Sequence, residues 1–97
     1  MTSAAEIQLK QKYIQKLPIK MAEIESHFES ENFNSFQTSI HKLAGSAGMY
    51  GFAELSTLAA EIENLIVAKS TADMSVLKTR LQQLYTKVNE TVSDLGQ

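Results

Sequence analysis

The chain has 97 residues, 43% hydrophobic and 21% charged, the composition of one small globular domain spanning 1–97, which excludes a second core and a disordered chain. It has no cysteine, so disulfides, thiolate zinc sites, iron–sulfur clusters and cysteine nucleophiles are excluded together, and the composition suits a reducing cytoplasm. Nine Lys and Arg against eleven Asp and Glu give a net charge of −2 with no concentrated basic face for nucleic acid; the longest apolar run, Leu65-Ile66-Val67-Ala68, is far short of the about 20 residues of a membrane span.

The first segment, from about Ala4 to Lys16, carries Ile7, Leu9, Tyr13 and Ile14 and is expected to form a short extra helix ending before Pro18. Apolar residues then fall at Leu17, Met21, Ile24 and Phe28, on one helical face, with Pro18 suited to the first turn of this helix. Behind an expected Asn32 cap, Phe33, Phe36, Ile40, Leu43 and Ala47 repeat every three or four residues and predict a second helix. Leu55, Leu58, Ala59, Ile62, Leu65 and Ile66 predict a third. After a connection with Ser70, Thr71 and Asp73 as turn or cap residues, Met74, Leu77, Leu81, Leu84, Val88 and Leu95 predict a fourth. One proline and four glycines are too few to punctuate many short strands. The expected fold is therefore all-α, an antiparallel up-down-up-down four-helix bundle whose end is capped by the short additional N-terminal helix. On the fourth helix Lys78, Arg80, Lys87 and Glu90 are expected to form a solvated face.

Gly45, Gly48 and Gly51 lie within seven residues of one another, in and just after the best amphipathic helix. A glycine inside a helix costs about 1 kcal/mol relative to alanine, so each needs a reason. Gly51 reads as the turn into the next helix, and Gly48 as a last turn or a close helix contact. Gly45 points about 160° from the core stripe at 100° per residue, so core packing cannot account for it.

One turn before Gly45 lies His41, about 120° from the core centre. Its neighbours on the same strip are Asn34, Gln37, Thr38, Ala44, Gly45 and Gly48, all uncharged, with the smallest on the C-terminal side. Helical side chains lean toward the N-terminus, so residue 45 is the one that would cover His41, and as glycine it leaves the imidazole open to a large partner. A neutral imidazole is a competent nucleophile toward phosphorus, one nitrogen attacking while the other keeps its proton. Hydrolytic catalysis is not supported, since no orienting carboxylate or second nucleophile stands in register: Ser46 points elsewhere and Glu54 lies beyond the glycine turn. His27 and His41 are the only histidines, fourteen residues apart and on different helices, so no metal site is expected. His27 has bulky neighbours in Glu23, Ile24 and Glu31 and lacks the bare approach.

The run His41-Lys42-Leu43-Ala44-Gly45-Ser46-Ala47-Gly48-Met49-Tyr50-Gly51-Phe52 resembles the signature of histidine phosphotransfer (HPt) domains of two-component phosphorelays, H-x-L-K-G-S-(S/A)-x-x-(L/Y/F)-G. Leu58-Ala59-x-x-Ile62-Glu63 is similar to the helix that follows in that family. The resemblance implies a phosphocarrier rather than an enzyme: His41 accepts a phosphoryl group from the aspartyl phosphate of a response-regulator receiver and passes it to another receiver, within a relay fed by a hybrid sensor histidine kinase. It also implies that the ε nitrogen carries the phosphoryl group and that the receiver supplies the Asp and Mg²⁺, so this domain binds no cofactor of its own. One departure is Ala44, where the family commonly has a lysine; it bears on phosphohistidine lifetime and not on the acceptor role, and Lys42 lies about 100° round the helix. The supporting surface on this reading comprises Gln37, Lys42, Ala44, Gly45 and Gly48, with Ile7, Ile14 and Met49 as apolar docking residues on a monomeric domain, the alternative for Ile7 and Ile14 being that they seal the bundle end. The alternative is an interaction module that docks and inhibits or scaffolds a receiver or kinase with His41 unphosphorylated. A histidine-kinase phosphoacceptor domain is disfavoured, because those resemble H-E-(L/I)-(K/R)-T-P and Lys42 stands at the acidic position.

Overall fold

The computed structural model describes residues 4–67 and 74–95, which form four α-helices and no strand: α1 Ala4–Glu29, α2 Phe33–Met49, α3 Ala53–Val67 and α4 Met74–Leu95. Ser70, Thr71 and Asp73, expected as turn or cap residues, lie outside the described residues. Each helix packs on two neighbours, α1 on α2 and α4, and α3 on α2 and α4. Contacts along two of these seams run in opposite chain order: Tyr13 meets Ser46 while Phe28 meets Phe36, and Glu54 meets Lys87 while Glu61 meets Arg80. The core takes Leu17, Met21 and Ile24 from α1, Phe36, Ile40, Leu43 and Ala47 from α2, Leu55, Ala59 and Ile62 from α3, and Leu84 and Val88 from α4. These are the stripes the periodicity predicts, and each large aliphatic or aromatic side chain buried contributes about 1.5–3 kcal/mol. No helix among the described residues is long and apolar enough to cross a membrane.

The expected break at Pro18 is absent. One helix runs from Ala4 to Glu29 with Pro18 inside it. Proline removes the hydrogen bond to the carbonyl four residues back, at a cost of about 3 kcal/mol or more. Burial on both sides of it offsets that cost: Tyr13, Ile14 and Leu17 before the proline, and Met21 and Ile24 after it, are all buried on one face, while Pro18 itself is exposed on the other. Tertiary packing thus overrides the local breaker. The same packing removes Ile14 from the expected docking surface, since it is 2% exposed and belongs to the core. Phe33 and Met74, expected at the heads of two core stripes, are exposed instead, and the Leu95 side chain lies outside the described residues.

Both inter-helix turns on either side of α2 are closed by backbone geometry. After α2, Phe52 N–H donates to Ala47 O at 2.8 Å and Gly51 N–H to Gly48 O at 3.2 Å, with Gly51 at φ 86°. This paired closure needs a left-handed residue, which glycine adopts without a Cβ penalty. After α1 the same pair recurs, Asn32 N–H to His27 O at 2.9 Å and Glu31 N–H to Phe28 O at 3.2 Å, but the left-handed residue is Glu31 at φ 60°. Asn32 caps α2 as expected, its side-chain oxygen accepting from Ser35 N–H at 3.4 Å. Between α3 and α4, Lys87 and Arg80 are not merely solvated: they reach Glu54 at 2.5 Å and Glu61 at 3.4 Å. The hydrogen bond to Glu54 holds the Lys87 ammonium above the usual lysine range. Both pairs lie at the surface, where such contacts orient helices more than they stabilise them.

Candidate functional site

The outward face of α2 carries His41, whose side chain is 74% exposed. A Cβ built on Gly45 would meet nothing within 4 Å, so the space over the imidazole is open as the helical geometry predicts. Gly48 has a different reason. A Cβ there would stand 3.2 Å from Ser56 Oγ, and that hydroxyl donates to the Ala44 carbonyl at 2.8 Å, tying α3 to α2. Ala44 is half-buried under this contact, which leaves Gly45 as the small residue facing outward.

The decisive partner of His41 comes from α3. Its Nδ1 lies 2.7 Å from Glu63 Oε2, and the Glu63 side chain is 22% exposed, so the carboxylate approaches from the packed side of the ring. A carboxylate accepts such a bond, so on a neutral ring this contact favours the tautomer with the proton on Nδ1 and the lone pair on Nε2. The expectation that no orienting carboxylate stands in register is thereby corrected. Periodicity within one helix does not report Glu63 as a partner of His41, because it says nothing about what the neighbouring helix places opposite. The register follows from the seam: Ser56 stands against α2 beside Gly48, and seven residues back on α2 and seven on along α3, two turns each, bring His41 to Glu63.

The C-terminal end of α2 is fixed from the other side by α1. Tyr13 Oη and Ser46 Oγ are 2.7 Å apart, and the Tyr13 ring stacks on Tyr50 at 4.5 Å and on Phe52 at 5.8 Å between centroids. Burial pushes the Tyr13 hydroxyl above its ordinary value, against the pull of the Ser46 bond. Ser46 is thus spent on positioning, consistent with its pointing away from the imidazole.

Of the other residues singled out from the sequence, Lys42 is exposed and Gln37 half-buried, each on α2 near His41, and Gly48 borders α3. Met49, 82% exposed, and Ile7, 47% exposed, lie at one end of the bundle, where α1 runs alongside the Gly51 turn. His27 is half-buried at the opposite end and lines a shallow polar depression with Asn34, Ser35, Thr38 and Ser39. Among the described residues, no group of three or more His, Cys, Asp or Glu is placed to hold a metal ion.

The Hpt domain family model matches residues 8–91, a span that contains all of α2 and α3 and most of α1 and α4. No curated protein and no solved structure matches the chain.

Proposed function

The chain belongs to the Hpt domain family, and from that premise we propose that it is a phosphocarrier whose acceptor is Nε2 of His41. Membership implies phosphotransfer in two-component phosphorelays and a carrier rather than an enzyme. The observation that carries the assignment to His41 is the exposed imidazole with Nδ1 held by Glu63 and no side chain over it at Gly45.

In the proposed step the Nε2 lone pair forms a bond to phosphorus as the bond from phosphorus to the aspartyl oxygen of a receiver breaks, the electron pair leaving with the receiver carboxylate. The ring keeps its Nδ1 proton and becomes positively charged, and the Glu63 carboxylate compensates that charge where it develops. The Asp and Mg²⁺ of the reaction belong to the receiver. Reversal of the same step toward a second receiver regenerates the neutral ring. Gln37, Lys42, Ala44, Gly45 and Gly48 form the supporting surface, and Met49 with Ile7 the apolar docking residues. The carrier is an antiparallel up-down-up-down bundle acting as a cytoplasmic monomer, with a hybrid sensor kinase upstream. Glu63 favours this reading over a docking module that never carries phosphate, since docking alone gains nothing from fixing one tautomer of an exposed ring.

The test is incubation with a phosphorylated receiver and Mg²⁺. The protein should acquire an acid-labile phosphoryl group that His41→Gln abolishes and His27→Gln leaves intact. Undiminished labelling of His41→Gln refutes the assignment.

A further inference from the structure

Across the bundle from His41 there is a second surface. Where α1 ends and α4 begins, the seam between them opens into a cleft of about 840 Å³. Phe28, Phe33, Leu81 and Tyr85 form its apolar wall, with Met74 at the head of α4. Phe33, Met74 and Tyr85 are exposed, and Phe28 joins the wall to the core through Phe36, their rings 5.4 Å apart between centroids. A contiguous exposed aromatic surface on a small domain marks a partner site more often than isolated apolar residues do.

The charge around this cleft is lopsided. Glu25, Glu29 and Glu31 line its α1 side, and Lys78 lies on its α4 side. Among the described residues none of these four takes part in an ion pair, whereas Glu54, Glu61 and Glu63 all do. The carboxylates therefore have no ion-pair partner among the described residues and stand next to aromatic rings, a combination that suits Lys and Arg heads by ion pairing and by cation–π attraction.

We propose that this cleft docks a cationic amphipathic peptide segment of a partner protein, its apolar residues on Phe28, Phe33 and Tyr85 and its basic residues on Glu25, Glu29 and Glu31. An acidic side chain or terminal carboxylate of the segment on Lys78 gives the docked peptide one direction. The backbone at Glu31 adds a second observation. This residue occupies the left-handed position that Gly51 fills in the following turn, so the chain retains a carboxylate where glycine is the easier residue.

The cleft follows the α1–α4 seam, and His41 with Glu63 the α2–α3 seam on the other side of the bundle, so a segment bound here leaves the imidazole open. A partner so attached holds the domain near its own reactive groups and raises their effective concentration without covering the phosphate site. The proposal does not rest on the phosphotransfer reading, and its readouts involve no phosphoryl group.

The probe is an amphipathic helical peptide of leucine and lysine, titrated into isotope-labelled protein and followed by backbone amide shifts. Saturable shifts should centre on Phe28, Phe33, Leu81 and Tyr85 and spare His41 and Gly45. The Glu25→Gln, Glu29→Gln, Glu31→Gln triple variant should bind about tenfold more weakly. Glu31→Gly alone should lose about threefold without a fall in melting temperature. Shifts centred on the His41 face, or a triple variant that binds the peptide as tightly as the parent, overturn the proposal. So does a dimer in sedimentation whose interface protects the cleft, which assigns this surface to a second copy of the chain.

Discussion

Gly45 offers one substitution on which stability and function part company. It sits inside α2, and a Cβ there meets nothing within 4 Å, so alanine introduces no clash and removes the conformational freedom that glycine brings to the unfolded chain. The expected gain is up to about 1 kcal/mol, and glutamine, a good helix former, gains a large part of it. For a domain of this size each 1 kcal/mol raises the melting temperature by about 4–8 °C. The longer side chain, leaning toward the N-terminus, lies across His41 and closes the approach that the receiver needs. Thermal melting followed by circular dichroism, paired with the rate of phosphoryl transfer from a labelled receiver, reads both effects on the same samples. Gly45→Ala should melt higher and transfer somewhat more slowly, and Gly45→Gln should melt higher and transfer far more slowly. A Gly45→Gln protein that gains stability and keeps the parental rate refutes the argument that this glycine exists to bare the imidazole.

Further substitutions at Glu63, Gly48 and Ser56 separate the roles of residues that surround the site. Glu63→Ala should slow phosphoryl transfer by at least about tenfold, the loss of one charge-assisted hydrogen bond, and Glu63→Gln by less because its amide oxygen still accepts from Nδ1. Both should melt within about 0.5 kcal/mol of the parent, since the pair is exposed on the His41 side; a Glu63→Ala protein at the parental rate removes the carboxylate from the mechanism. Gly48→Ala, unlike Gly45→Ala, should bring no rise in melting temperature. Its new methyl meets Ser56 Oγ at 3.2 Å and disturbs the bond to the Ala44 carbonyl, a loss of about 1 kcal/mol that offsets the gain in helix propensity. Combined with Ser56→Ala it should become stabilising, and equal melting gains for Gly45→Ala and Gly48→Ala contradict the assignment of the two glycines to different tasks.

What was legible in the sequence follows from which periodicities a single helix reports. The strip holding His41, Gly45 and Gly48 is set by the turn of α2 alone, and the buried stripes from Leu17 to Ile24 and from Phe36 to Ala47 by the turns of α1 and α2; all appear in the structure where the spacing places them. The break expected at Pro18 is absent for the converse reason, and Ile14 seals the bundle rather than docking a partner. A local rule places a helix end at a proline, whereas the continuity of α1 is decided by Tyr13, Ile14 and Leu17 packing on the rest of the bundle. Glu31 is a similar case, a left-handed position that local preference assigns to glycine or asparagine.

Glu63 belongs to a third class of information, the register between helices, which is decided by small and polar contacts at the seam. Gly48 against Ser56 sets α2 on α3, and two turns away the same alignment delivers a carboxylate to the imidazole. On the next seam the alignment advances in the same step: Glu54 and Glu61, seven residues apart on α3, meet Lys87 and Arg80, seven apart on α4. A slide of α3 by one turn would keep its apolar residues in the core, because Leu55, Ala59 and Ile62 would each move to a position of similar character. It would also carry Glu63 about 5 Å from the ring. The apolar stripes therefore specify a bundle, and the contact at Gly48 and the charge pairs specify which alignment of that bundle gives His41 its carboxylate.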